Sequence, residues 1–151
     1  MKSRSLLALS LVLLAFVGSA FADANKATPE EAKALAIKAA DYLRANGAEK
    51  SYPVFEAKDN ATFHDRDLYV YVITAEGKVL SHGTNPGLIG KVLLELKDVD
   101  GKPFVHDIVA VKDAGWISYK WQNPTTKAVE PKTSYVMHVG DTFIIVGAYA
   151  S

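Results

Sequence analysis

Residues Asp67–Ile73 read DLYVYVI, and this alternation is typical of a β-strand and not of a helix. Aliphatic side chains take every second position and so share one face of the strand, while the other face carries two tyrosines and an isoleucine. The two sets are Leu68, Val70 and Val72, and then Tyr69, Tyr71 and Ile73. Both faces of this strand should therefore be covered, either by core on each side or by core on one side and a ligand on the other.

The residues that follow predict a β-hairpin. Glu76-Gly77 makes a tight turn, and Lys78 to His82 forms the second strand. The next stretch, from Gly83 to Gly90, reads GTNPGLIG, which is turn chemistry with only two large apolar residues. We expect a loop that takes a specific position next to the hairpin.

Upstream, Thr28, Pro29 and Glu31 form a capping-box pattern that begins a helix, and Gly47 is placed to end it. Residues at three-and-four spacing give this helix one face that can pack on a sheet. They are Ala32, Leu35, Ala36, Ala39, Tyr42, Leu43 and Asn46. The stretch from Ala48 to Arg66 mixes proline, asparagine and charges and predicts a broken helix or a loop.

Downstream, residues 92–96 predict a short helix or extended link, and Pro103 opens a second amphipathic helix that Gly115 ends. Three strands are then predicted at residues 116–121, 134–139 and 142–149, the last two joined at Gly140-Asp141. The expected fold class is α+β, with a long N-terminal helix packed on a five-stranded antiparallel sheet.

The first residues predict a secretion signal. Lys2 and Arg4 precede an apolar run at residues 6–17, and Ala20 and Ala22 provide the small residues of a cleavage site. The run is shorter than the roughly 20 residues that a spanning helix needs, which disfavours a retained membrane anchor. We expect residues 1–22 to be a signal peptide cleaved after Ala22. Residues 23–151 would then be one periplasmic or secreted domain without membrane insertion.

Several chemistries are disfavoured by the sequence. Seventeen basic residues balance seventeen acidic ones, whereas nucleic-acid binding needs a basic surface. Cysteine is absent, and neither a G-x-S-x-G nucleophile motif nor a phosphate loop occurs. The Asp98–Gly101 turn resembles a calcium loop, but its twelfth position is Val109 where a glutamate is needed. His64, His106 and His138 lack metal-site spacing, so no metal or other cofactor is expected.

Aromatic residues in the predicted strands are the remaining candidates for a site. Aromatic strand residues are usually core, but buried tyrosine hydroxyls and tryptophan nitrogens need polar partners. His82 and Lys132 lie beside predicted strand ends, where they could supply positive charge. This combination suits a small anion.

The ordered motifs of the chain resemble the single Cache domain of bacterial chemoreceptors and sensor kinases. They are DLYVYVI, SHGTNPGLIGK, LKDVDGKPFV, GWISYKW followed by NP, EPKTSYV and GAY. The resemblance implies a long helix on a PAS-like antiparallel sheet and a pocket between the sheet and its crossing loops. It also implies a small organic acid as ligand and no catalysis.

The same resemblance implies pocket residues by position, with His82 and Lys132 contacting a carboxylate and Tyr119 and Tyr135 donating hydroxyls. The full set is Tyr71, His82, Trp116, Tyr119, Trp121, Lys132, Tyr135 and Tyr149. The family commonly has His-Pro where this chain has His82-Gly83, which predicts a more mobile loop here.

Three functions follow as hypotheses. The first is an exported, stand-alone sensor domain that binds a small organic acid and passes its state to a separate membrane receptor or sensor kinase. The second is a protein-interaction module of the cell envelope that binds no ligand. The third is an enzyme that uses the same pocket, with His82 as a base, although the sequence shows no residue to orient it.

Overall fold

The computed structural model describes residues 23–150. The signal peptide predicted at residues 1–22 therefore lies outside the described residues. The helices are α1 (Pro29–Asn46), α2 (Ala48–Glu56) and α3 (Phe104–Val109), and the strands are β1 (Val70–Thr74), β2 (Val79–His82), β3 (Ala114–Gln122), β4 (Val129–Val139) and β5 (Thr142–Tyr149).

The five strands form one antiparallel sheet in the order β2-β1-β5-β4-β3. The hairpins β1–β2, β3–β4 and β4–β5 join neighbouring strands, and β1 pairs with β5 at the centre of the sheet. The predicted α+β fold class is confirmed, including the long helix on the five-stranded sheet.

Helix α1 begins and ends as the sequence predicts. The Thr28 hydroxyl accepts the Glu31 N–H at 3.2 Å, and the Glu31 carboxylate accepts the Thr28 N–H at 2.8 Å. Gly47 ends the helix with a φ of 75°, a backbone conformation that favours glycine. The predicted broken helix after it is α2, which contains Pro53 and is followed by loop up to β1.

The two faces of the sheet bury different side chains. Against α1 and α2 lie the small and aliphatic residues of β1 and β5, with Phe55 and Phe63 at the edge of this core. The opposite face, towards α3, buries tyrosines as well as aliphatic residues. The alternation in DLYVYVI thus separates a face of aliphatic side chains from a face that carries tyrosines.

Strand β4 begins earlier than predicted. It starts at Val129 and not at residue 134, and it pairs with β3 through residues 114–122. The sequence does not predict this first part because glutamate and proline, here Glu130 and Pro131, are uncommon in strands. Lys132 therefore lies within β4, opposite Tyr119 on one side and Tyr149 on the other, and the prediction that it lies beside a strand end is wrong.

Among residues 23–150, no helix is both long and apolar enough to cross a membrane.

Candidate functional site

A small cavity lies on the α3 face of the sheet. Its volume is about 20 Å³, which is room for one water molecule. Tyrosines and His82 line it on the sheet side, and aliphatic residues and Phe104 close it from the loops and α3. The lining residues are Tyr69, Tyr71, Ile73, Val79, His82, Leu88, Leu93, Phe104, Val105, Tyr119 and Trp121.

A lysine is buried immediately behind this cavity. Lys132 is 1% exposed, and its Nζ donates a hydrogen bond of 2.8 Å to the Tyr69 hydroxyl, which belongs to a cavity-lining residue. The same Nζ lies 4.1 Å from the centroid of the Tyr69 ring and 4.9 Å from that of Tyr149. The ammonium group is thus surrounded by aromatic rings and hydroxyls.

The Lys132 side chain reaches this position over a glycine. A Cβ at Gly147 would overlap with Lys132 Cε and Ser134 Oγ, since it would lie closer to both than real atoms approach. Gly147 is directly opposite Ser134 in the β4–β5 pairing. The absence of a side chain at residue 147 therefore provides the path of the lysine stem.

No carboxylate neutralises Lys132 directly. It takes part in none of the ion pairs formed within residues 23–150. Asp67 is the acidic group that favours its charged form, but the Asp67 carboxylate accepts hydrogen bonds from Ala27 N–H at 2.9 Å and Asn123 Nδ2 at 3.4 Å instead. Burial lowers the pKa of Lys132 to about 7, against an opposing influence of Asp67.

The energetic balance favours an anionic partner for Lys132. Burying an unpaired ammonium costs several kcal/mol, whereas a desolvated cation–π contact returns about 2 kcal/mol. A neutral hydroxyl acceptor adds roughly 1 kcal/mol more. The charged form of Lys132 is therefore incompletely compensated by the protein.

Hydroxyl groups form a second polar element of the site. The Tyr71 and Tyr119 hydroxyls lie 2.9 Å apart, and the Tyr119 hydroxyl lies 3.1 Å from Ser134 Oγ. Burial raises the pKa of both tyrosines, so both hydroxyls remain protonated at neutral pH. Each can turn its proton toward an acceptor in the cavity.

His82 connects the cavity with the loop that covers it. Its Nδ1 accepts the N–H groups of Thr84 at 3.3 Å and Asn85 at 3.0 Å, which places the ring proton of the neutral imidazole on Nε2. The ring stacks on those of Tyr69 and Tyr71, with centroids 5.1 and 5.4 Å away. Burial, with the nearby Lys132 charge, lowers the pKa of His82 to about 3.

The glycine after His82 is closely packed. The Gly83 N–H donates to Val70 O at 2.9 Å, a bond that a proline could not make. A Cβ at residue 83 would lie 3.1 Å from both Phe55 O and Tyr69 Cβ. Close approach to these two residues is the physical role of Gly83 in this structure, whereas the predicted mobility of the loop remains a prediction.

Two of the predicted pocket residues lie on the other face of the sheet. Trp116 is 43% exposed and packs edge-on against Tyr135, with ring centroids 4.8 Å apart. Tyr135 belongs to the α1 side, where Lys33 Nζ lies 5.2 Å from its ring. The prediction that Trp116 and Tyr135 point into the pocket is wrong. Trp116 is three residues from Tyr119 in β3, and Tyr135 is three residues from Lys132 in β4. Residues an odd number of positions apart in a strand point to opposite faces of the sheet.

The other six predicted residues come together. Tyr71, His82, Tyr119 and Trp121 line the cavity. Lys132 and Tyr149 form its buried rear, where the Tyr149 hydroxyl donates to Gln122 O at 2.8 Å. Sequence reasoning missed Tyr69 as a site residue, although it shares its strand face with Tyr71. It also missed the role of Gly147.

A family model for single Cache domain 2 matches residues 11–151. The chain belongs to the single Cache domain 2 family. This match confirms the resemblance found in the ordered motifs.

Two curated proteins are similar to part of the chain. The methyl-accepting chemotaxis protein McpP of Pseudomonas putida is 32% identical over 76 residues, which are 48% of this chain and 14% of McpP. The sensor histidine kinase MctS of Rhizobium johnstonii is 29% identical over 86 residues, which are 56% of this chain and 19% of MctS. The similarity thus spans less than a fifth of either relative.

A solved structure supports the fold. It is described as the structural basis for carboxylic acid recognition by a Cache chemosensory domain, and it is 22% identical to this chain. The TM-score is 0.67, over 81% of this chain and 92% of the other. The chain therefore has the fold of Cache sensor domains, which are parts of chemoreceptors and sensor kinases.

Proposed function

We propose that this domain is an extracytoplasmic sensor module that binds a short monocarboxylic acid in the cavity on the α3 face. The observation that carries the proposal is Lys132, a buried amine that lacks a carboxylate partner within residues 23–150 and touches the cavity through Tyr69. A bound carboxylate would neutralise the ammonium group of Lys132. The hydroxyls of Tyr71 and Tyr119 and Nε2 of His82 would donate hydrogen bonds to this carboxylate. Each charge-assisted hydrogen bond contributes about 1.5 to 3 kcal/mol.

The chemistry of the lining limits the ligand to one carboxylate and a short tail. The cavity walls carry no acidic residue that could hold an amino group, which disfavours amino acids. Within residues 23–150, Lys132 is also the one basic side chain that contacts the tyrosines of these walls, so a second carboxylate would be unpaired. The aliphatic wall at Leu88, Leu93 and Val105 suits a methyl or ethyl tail.

Ligand size and cavity volume set two further expectations. Five or six heavy atoms, at a ceiling near 1.5 kcal/mol per atom, limit the binding free energy to about 8 or 9 kcal/mol, which is roughly micromolar affinity. The cavity of about 20 Å³ is too small for such an acid. Binding therefore requires outward movement of the lining, for which the loop with Leu88 and Leu93 is the accessible part.

Binding without catalysis is the proposed activity. A histidine base is commonly oriented by a carboxylate that accepts its Nδ1–H, but Nδ1 of His82 is itself an acceptor of two backbone N–H groups. With a pKa of about 3, His82 is a weak base at neutral pH. Both properties suit a hydrogen-bond donor to a ligand better than a general base.

The wider role is proposed from the relatives. McpP is named a chemotaxis protein and MctS a sensor kinase, so we propose that this domain passes its ligand state to a membrane receptor or kinase of that kind. Export after cleavage at Ala22 is part of the same proposal. Mass spectrometry of the exported protein should then find Asp23 as its first residue, and a retained leader would contradict cleavage.

The direct test is calorimetric titration, supported by thermal shift, with acetate, propionate, pyruvate and lactate, and with succinate and alanine as comparison compounds. We expect one or more of the four monocarboxylates to bind with micromolar affinity or weaker and to raise the Tm. Lys132→Met should abolish this binding. Trp116→Ala, which changes the opposite face, should bind like the wild type.

Three results would contradict the proposed function. If none of the compounds binds, the result supports the hypothesis of a protein-interaction module that binds no ligand. If Lys132→Met binds as well as the wild type, the ligand occupies another site. Consumption of a bound acid, followed by NMR, would show an enzyme instead.

A further inference from the structure

The groups packed around Lys132 provide no full negative charge. β1 contributes the hydroxyl and ring of Tyr69 and the ring of Tyr71, whose centroid is 5.8 Å from Nζ, and β5 contributes Tyr149. Burial raises the pKa of each of these tyrosines, so the phenols remain neutral near pH 7. Tyr119 of β3 is neutral for the same reason.

The nearby ionisable groups are engaged elsewhere. His82 of β2 is neutral, because its pKa is lowered to about 3, mainly by burial. Asp67, before β1, accepts hydrogen bonds from Ala27 and Asn123. Asp67 acts on Lys132 only at a distance, in the direction of a higher pKa.

The charged groups on the β3 side of Lys132 are also engaged with other partners. Lys132 shares a surface groove with the turn at residues 98–102, but the charged groups of that turn have their own partners. Asp98 accepts the N–H groups of Asp100, Lys102 and Lys120. Asp100 pairs with Lys120 at 2.9 Å, and Lys102 lies 3.4 Å from Asp107.

We propose that the pocket has two ligands, a carboxylate and a proton, and that the proton binds to Lys132 when the carboxylate arrives. In the free protein the amine is buried among neutral groups, which favours its uncharged form. A bound carboxylate supplies the missing negative charge and favours the ammonium form. The net reaction is amine plus carboxylate plus one proton giving an ammonium–carboxylate pair, which is balanced in atoms and charge.

The consequence is a sensor whose response depends jointly on acid concentration and pH. The inference rests on the proposed function and deepens it. The pKa of about 7 for Lys132 in the free domain places the change near neutral pH. Below this range the lysine is already charged and binding takes up little additional proton. Above it, affinity should fall up to about tenfold per pH unit, the limit for one coupled proton.

The test is isothermal titration calorimetry with propionate, or with whichever acid of the panel binds most tightly. The mature chain is titrated at pH 6 and pH 8.5, at each pH in two buffers of different ionisation enthalpy. Because free propionate is fully ionised at pH 8.5, a buffer-dependent enthalpy reports protons taken up by the protein. We expect close to one proton per bound acid at pH 8.5 and close to none at pH 6.

A matched variant identifies the proton acceptor. His82→Gln removes the other side chain of the site with a free proton-accepting nitrogen, since the lining tyrosines are already protonated. Its affinity should fall, while uptake near one proton at pH 8.5 should persist. Loss of uptake in this variant would assign the proton to His82 and overturn the inference.

The outcomes separate the two proposals. Binding at pH 8.5 with the same enthalpy in both buffers would show that Lys132 is already charged in the free domain. That result overturns the two-ligand inference and leaves the proposed function intact. Absence of binding at pH 6, where the lysine is charged, would contradict the proposed function itself.

Discussion

The two faces of the sheet differ in what burial achieves. The α1 face buries alanines, valines and leucines with Phe55 and Phe63, whose rings pack at 4.9 Å. The α3 face buries tyrosines, a histidine and, behind them, Lys132, whose burial opposes folding. The same strands build both faces, so the difference teaches that one face serves packing alone among its buried groups, whereas the other combines an apolar core with the buried polar groups of the candidate site.

The largest expected effect is on the structural face. Phe55→Ala removes a fully buried ring that contacts Phe63 and Tyr42, and it should lower the free energy of unfolding by about 3–5 kcal/mol. Chemical denaturation measures this loss. Acid affinity of the folded fraction should stay unchanged, and a large change in affinity would contradict the separation of the two faces.

Lys132→Met is expected to change the free energy of unfolding in the opposite direction to Phe55→Ala. Replacing a buried, unpaired amine with an apolar chain of similar length should leave stability unchanged or raise it, by up to about 4 kcal/mol. Acid binding should be lost at the same time. A loss of stability comparable to that of Phe55→Ala would show that Lys132 is a structural residue.

Gly147→Ala tests the path of the lysine stem. The added methyl group would collide with Lys132 Cε and Ser134 Oγ, so we expect a stability loss of about 1–3 kcal/mol from overpacking. Acid affinity should fall at least tenfold, because Nζ is displaced. As a control, the same substitution in a Lys132→Ala background, which lacks the side-chain stem, should cost less stability. Equal costs in both backgrounds would contradict the proposed path.

Counted per pH unit, the smallest effect is the pH dependence of stability. The pKa of Lys132 is lowered to about 7 in the folded domain from its ordinary value of 10.5, so the unfolded chain binds more protons between these values. Stability should therefore rise with pH from about 7 to 10.5, by at most about 1.4 kcal/mol per pH unit. The slope is measured as the difference between the wild type and Lys132→Met, and equal slopes would contradict a buried, neutralised amine.

Much of the fold could be predicted from local patterns. The capping box at Thr28, the period-two alternation at Asp67–Ile73 and the turns at Gly77 and Gly140 each act over a few residues. The start of β4 could not be predicted in this way, because Glu130 and Pro131 are poor strand formers and tertiary pairing with β3 decides their conformation.

The candidate site could be predicted in residue type more than in position. Tyr71, His82, Tyr119 and Lys132 come together as the ordered motifs imply. The resemblance implies Trp116 and Tyr135 as pocket residues by position, but strand parity places them on the α1 face. Gly147 has no side chain to suggest a function, so its role emerges only from the proximity of Lys132.

The most direct measurement is a crystal structure of the domain grown with propionate or with the tightest-binding acid of the panel. The account predicts one carboxylate oxygen about 2.7–2.9 Å from Lys132 Nζ, the acid enclosed on the α3 face, and the loop around Leu88 and Leu93 displaced outward. An acid bound at full occupancy away from Lys132, with the cavity unchanged, would contradict the central claim.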